Sequence, residues 1–122
     1  ENHVFYADSD WKLLMKTIRN EAVKYSEISK CPAVSRDLAL LIDQNVEFGR
    51  IEQIAYQTEK KLLKAVTLFD VYEGKNLPAG KKSYAVNFIL QDTEKTMSEK
   101  AIDAIMQKLI QQFTKQLGAE LR

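Results

Sequence analysis

Residues able to meet a ligand cluster in the stretch FDVYEGKNLPAGKKSYAVNF, from Phe69 to Phe88. Asp70 supplies a carboxylate acceptor, Tyr72 a flat ring, Ser83 a hydroxyl and Asn87 an amide, while Lys81 and Lys82 add two cations. An aromatic plane, polar groups for an edge and cations for adjacent phosphates are what an unstacked base requires. Covalent chemistry has less to work with. His3 is the sole histidine, so no histidine-based triad or multi-histidine metal site can be drawn from this chain alone. Cys31, the sole cysteine, precedes Pro32, lacks a CxxC partner and reads as a packed or idle thiol.

Whether the polar groups converge depends on the elements that carry them. SRDLALLID, Ser35 to Asp43, has strand length; Leu38, Leu40 and Ile42 share one side, and Asp37, Ala39 and Leu41 the other. Ile51, Ile54, Ala55, Thr58 and Leu62 recur at helical spacing through GRIEQIAYQTEKKLLK, predicting a helix over 50–64. Val66 to Glu73 and Ser83 to Gln91 are the next strands, joined by a connection that Gly74, Pro78 and Gly80 turn back on itself. Thr96 and Glu99 fit a capping box ahead of a second apolar stripe, Ile102, Ile105, Met106, Leu109, Phe113 and Leu117. Gly118 stops that helix, and AELR suffices for a short closing strand.

The order strand, helix, strand, strand, helix, strand predicts an α+β, ferredoxin-like βαββαβ sandwich: a four-stranded antiparallel sheet with both helices on one face. Tyr84, Val86, Phe88 and Leu90 are uniformly apolar and face the helices, which leaves Ser83, Ala85, Asn87 and Ile89 on the open face. Strict alternation in the second strand separates Leu68, Asp70 and Tyr72 from Thr67, Phe69 and Val71. Asp70 and Tyr72 then join Ser83, Asn87 and Ala39 on the open face, with Lys81 and Lys82 at its rim. Arg36 begins the first strand and either anchors a backbone carbonyl or meets RNA. A wet sheet face carries polar residues in any case, so pattern alone does not separate a binding surface from a solvated one.

Ahead of this unit, Val4 to Ala7 are strand-like, and Trp11, Leu14, Met15 and Ile18 follow helical spacing behind Ser9 or Asp10 as a cap. Phe5, Tyr6 and Trp11 read as packing residues of this short strand-helix extension. Residues 20–30 are polar and irregular apart from Val23 and Tyr25. The 122 residues, 45% hydrophobic, suffice for one modest core, and 18 Lys plus Arg against 17 Asp plus Glu leave a net charge of +1. Contact with a polyanion must then be local and geometrical. No apolar run approaches the ~18 residues of a spanning helix, so no membrane role is expected. The lone cysteine and the absence of a secretory pattern point to the cytoplasm. A start at Glu1, without methionine, reads as a piece of a longer protein.

CPAVSRDLALLID, LFDVYEG, LPAGKKSYAV, TMSEK and LGAELR, in that order, closely resemble the C-terminal ferredoxin-like anticodon-binding domain of bacterial phenylalanyl-tRNA synthetase β subunits. The resemblance is best over 25–122; residues 1–24 look like the tail of the preceding module. It implies a noncatalytic module that docks on the anticodon stem-loop of phenylalanine tRNA. Its neighbours would be the rest of the β subunit and the α subunit of an α2β2 synthetase, whose reaction uses ATP and magnesium; the fragment itself needs no cofactor. By the same resemblance the anticodon base is met by Tyr72, Asp70, Ser83 and Ala39, four residues that alternation also assigns to the open face. Glu73 and the near-neutral total charge imply that other contacts of the whole enzyme supply much of the affinity.

Two other classes share the topology. An amino-acid-sensing regulatory or dimerisation domain would couple ligand addition to pairing of two copies. An acylphosphatase-like enzyme needs an anion loop with an arginine, and DQNVEFGR offers only Arg50.

Overall fold

The computed structural model describes residues 4–18, 25 and 27–122. The expectations for His3 and Val23 lie outside them. Elements run α1 (Trp11–Thr17), β1 (Val34–Asp43), α2 (Phe48–Thr58), β2 (Leu63–Tyr72), β3 (Lys81–Leu90), α3 (Glu99–Leu117) and β4 (Glu120–Leu121). The strands form one sheet in the order β2-β3-β1-β4. Every neighbouring pair is antiparallel, so the expected ferredoxin-like βαββαβ arrangement is borne out.

One face of the sheet is buried because its side chains are apolar at every second position. Leu40 and Ile42 of β1 and Val86, Phe88 and Leu90 of β3 join Ile51, Ile54 and Ala55 of α2 and Ile102, Ile105, Met106, Leu109 and Phe113 of α3 in a single core. Phe88 and Phe113 meet there with ring centroids 6.0 Å apart.

Helix ends are set by local polar groups. α3 starts at Ser98, whose hydroxyl accepts from the Ala101 N–H at 3.3 Å. Ser98, not Thr96, is therefore the cap, and Glu99 is the first helical residue instead of the far corner of a capping box. Gly118 ends α3 at φ +61°, a left-handed conformation that costs glycine no Cβ clash. α2 stops at Thr58, six residues short of the expected Lys64. The Glu59 carboxylate accepts from the Lys61 and Leu62 N–H groups at 3.1 and 3.0 Å, and the Leu62 carbonyl accepts from the Gln91 N–H at 2.8 Å. Those bonds divert the backbone from the helix. Leu62 still packs against the core, but from the turn that leads into β2.

The short α1 is capped by Asp10, whose Oδ1 accepts from Lys12 and Leu13 N–H groups at 2.8 and 3.2 Å. It buries no residue. Val4 to Ala7 form no strand, and Val4, Phe5 and Tyr6 are almost fully exposed. A strand needs a partner for its N–H and C=O groups, and none of the described residues pairs with this segment.

Candidate nucleic-acid interface

The sheet face opposite the helices is organised as rows across β2, β3 and β1. Tyr72 pairs with Ser83 and Ser83 with Leu41; Asp70 pairs with Ala85 and Ala85 with Ala39; Thr67 pairs with Asn87 and Asn87 with Asp37. Tyr72, Asp70, Ser83 and Ala39 thus occupy two adjacent rows, and Asn87 stands in the third.

A β-bulge decides this arrangement. Register is continuous from Val66↔Phe88 to Leu68↔Val86, then slips so that Asp70 pairs with Ala85 and Phe69 has no partner. The extra residue reverses the alternation. Leu68 consequently packs against the core, and does not share a face with Asp70 and Tyr72 as strict alternation predicts. Thr67 and Phe69, expected on the helix side, instead line a shallow depression with Asp37 and Asn87. A signal for this lay in the sequence: the apolar residues Val66, Leu68 and Val71, opposite Phe88, Val86 and Tyr84 on the helix side, are spaced by two and then by three.

Tyr72 is held from two directions. The Arg122 guanidinium lies over its ring, 5.2 Å from the centroid, a cation–π distance. The backbone places it there, because the Arg122 N–H donates to the Ala39 carbonyl at 3.0 Å as the chain leaves β4. On another side the ring tip reaches the backbone at Gly74, where an added Cβ would lie 2.5 Å from the hydroxyl oxygen and 2.6 Å from Cζ. Tyr72 keeps 37% of its surface exposed, whereas Ser83 beside it keeps only 5%. Asp70 is exposed and Ala39 half-buried.

The cations divide between the two sides. Lys81 pairs with Asp43 at the start of β3, on the open side, and its ammonium meets Glu120 of β4 at 2.5 Å. Lys82, one residue on, turns to the helix side; it is 8% exposed, with its ammonium 4.6 Å from the Tyr84 ring centroid. It does not stand at the rim with Lys81, since adjacent strand residues point to opposite faces. Arg36 also lies on the helix side, opposite Phe88, and donates to the Ser35 carbonyl at 3.1 Å and to Glu99 of α3. Arg50 donates to Gln53 at 2.9 Å, along its own helix.

Asn87 is already engaged: its Nδ2 donates to Ser35 Oγ at 2.5 Å and to Asp37 Oδ1 at 2.6 Å. Among the described residues no group of three or more His, Cys, Asp or Glu could hold a metal ion, and no helix is long and apolar enough to cross a membrane. The open face can offer stacking, acceptors and a few cations. It has no nucleophile activated by a base.

Comparison with known proteins agrees with the fold. Residues 29–122 match the family described as ferredoxin-fold anticodon binding domain. Over all 122 residues the chain is 64% identical to a phenylalanine–tRNA ligase beta subunit of Bacteroides fragilis and 50% identical to that of Porphyromonas gingivalis, covering 15% of each. It is 42% identical over 103 residues to the beta subunit of Geobacillus kaustophilus, covering 84% of this chain and 13% of that one. The chain spans about 15% of the length of the first two of these curated relatives.

Proposed function

Because this chain belongs to the family of ferredoxin-fold anticodon binding domains, we propose that it is the anticodon-reading module of a phenylalanine–tRNA ligase β subunit. Its ligand is the anticodon stem-loop of phenylalanine tRNA. Tyr72 stacks on a base, Asp70 and Ser83 hydrogen bond to its edge, and Ala39 leaves room for it. Asp70, as an ionised carboxylate, only accepts, so the edge it meets carries an N–H donor. Lys81 stands where a phosphate would pass, and Asn87 borders the site. Arg36 and Lys82, engaged on the helix side, have no direct contact in this reading.

The observation that carries the proposal is the common face of Tyr72, Asp70, Ser83 and Ala39, in two adjacent cross-strand rows. Aminoacylation, with its ATP and magnesium, belongs to the whole cytoplasmic α2β2 synthetase, and no residue of this chain is assigned to it. Residues 1–24 are the tail of the preceding module, which suits a family match beginning at residue 29 and the unpartnered apolar residues Val4, Phe5 and Tyr6.

A salt-dependent titration of the stem-loop tests the assignment, with wild type, Tyr72→Ala and Tyr72→Phe and an anticodon-swapped stem-loop as control. Loss of a stacking ring costs about 1 to 3 kcal/mol at a single-strand site, so Tyr72→Ala should weaken binding by that amount and Tyr72→Phe by much less. Equal losses would assign the role to the hydroxyl. Should Tyr72→Ala change nothing in the assembled synthetase either, the site lies elsewhere.

A further inference from the structure

The bulge in β2 does more than aim Asp70. It leaves Phe69 unpaired, 58% exposed, beside a depression of about 370 Å3 lined by Asp37, Thr67, Phe69 and Asn87. A phenylalanine without a polar tip stands on the sheet face that carries Tyr72, where the open side of the sheet is otherwise largely polar. We propose that Phe69, Asp37, Asn87 and Thr67 form a second subsite for an unpaired nucleobase, a neighbour of the base at Tyr72.

Three observations carry it, and it rests on the RNA-binding reading above. The first is continuity: Phe69 adjoins Asp70, and the row Thr67, Asn87, Asp37 adjoins the row Asp70, Ala85, Ala39. The second is reach. Tyr72 and Phe69 are three residues apart in sequence, but the bulge leaves them about two β3 residues apart along the sheet, roughly 7 Å at about 3.3 Å per residue, a spacing within reach of two bases of one strand. The third is chemistry. One flat ring beside polar side chains matches a ligand with apolar faces and a polar edge. Both Asn87 amide hydrogens are taken up by Ser35 and Asp37, so the remaining capacity lies with the Asn87 carbonyl and the second Asp37 oxygen. These are acceptors, and with the Thr67 hydroxyl beside them they favour a base edge that presents an N–H donor.

The Asn87–Asp37–Ser35 bonds fix the orientation of the polar edge beside Phe69. A protein partner docking on the same ring is the competing occupant, and it predicts no dependence on any nucleotide.

The test is a titration of the 122-residue chain with the phenylalanine tRNA anticodon stem-loop and with versions made abasic at one loop position each. Phe69→Ala should weaken binding of the parent RNA roughly 5- to 150-fold, the range for loss of a stacking ring. One abasic RNA should bind wild type and Phe69→Ala equally, and that position should differ from the one that cancels the Tyr72→Ala loss. Because Phe69 is exposed, the melting curve should be unchanged, which separates lost contact from lost folding. If Phe69→Ala binds like wild type while Tyr72→Ala is weak, the second subsite is overturned and the anticodon reading stands. If both losses cancel at one position, a single base spans both rings and the subsite is again overturned. If neither variant nor wild type binds as the isolated chain, the same comparison is made in the assembled synthetase, and failure of both variants to differ from wild type there overturns the reading and this inference together.

Discussion

Gly74 has no Cβ where a Cβ would sit 2.5 Å from the hydroxyl oxygen of Tyr72. Its φ is not in the left-handed region, which among the described residues only Gly80 and Gly118 occupy, so the demand for glycine here is steric and not conformational. Gly74→Ala should therefore leave the backbone alone and displace the Tyr72 ring tip, the softer of the two partners. Little change in melting temperature is expected, together with shifted ring-proton resonances of Tyr72. Affinity for the stem-loop should fall by a part of the ~1 to 3 kcal/mol that full removal of the ring costs. Unshifted ring resonances in Gly74→Ala would show that the ring is not positioned by this contact.

Arg122 offers a separable test, since its charge and its contact with Tyr72 act on different observables. Each phosphate neutralised on a single strand steepens the dependence of log K on log salt by about 0.7. Arg122→Ala should weaken binding of every stem-loop alike and lower that slope by about one contact, while Arg122→Lys should keep it. Tyr72→Ala should instead weaken binding selectively and leave the slope in place. A slope unchanged by Arg122→Ala would confine the guanidinium to packing on the ring.

Much of this arrangement is legible from residue types because burial imposes a period. The run Tyr84, Val86, Phe88 and Leu90 has one buried side and one open side, so Ser83 and Asn87 are placed by parity alone. Parity fails where something local overrides it. The Phe69 bulge reverses the faces of Thr67 and Leu68, while Asp70 and Tyr72, both beyond the slip, keep the shared open face that alternation gives them. Leu62 continues the helical period of α2 although its backbone has left the helix, since a core position can be filled equally well from a turn. Lys81 and Lys82 look equivalent in sequence, yet one faces Glu120 and the other Tyr84. The contact of Arg122 with Tyr72 joins residues fifty positions apart, and only the closing strand brings them together.

The core and the open face should respond differently to the same truncation. Phe113 is fully buried against Phe88, so Phe113→Ala should cost about 3 to 5 kcal/mol of stability, read as a lowered urea midpoint. Such a loss is large against the marginal stability of a domain this size. A Phe113→Ala protein as stable as wild type would place the ring outside the core.

Acid stability should carry a small local signature. The Asp92 carboxylate accepts from the Glu94 N–H at 2.9 Å, and that bond, with Lys95 and Lys61 nearby, holds its pKa below the ordinary aspartate value. A depressed folded-state pKa stabilises the fold at pH values above the unfolded-state pKa. That contribution is lost as pH falls through the folded-state pKa. Carboxyl NMR should find the Asp92 midpoint below that of an unstructured aspartate, and Asp92→Asn should remove this acid-linked component. A midpoint at or above the ordinary value would contradict the hydrogen bond as its cause.

Deleting Phe69 altogether separates the bulge from the residues it serves. Without it, Thr67, Leu68, Asp70, Val71 and Tyr72 would alternate regularly, with Leu68 still opposite Val86 and Asp70 still opposite Ala85. The pairs, the core and the two base-facing residues are all retained, so the deletion should fold, with a loss near 1 kcal/mol or less for a change at an exposed residue. Deleting Val71 is the control: Tyr72 would take its helix-facing slot, and every residue up to the turn would change sides. The deletion of Val71 should abolish stem-loop binding, whereas deletion of Phe69 should keep the selectivity that depends on Tyr72. If removing Phe69 also destroys that selectivity in a protein that still melts cooperatively, the added twist of the bulge is itself needed to aim Asp70 and Tyr72.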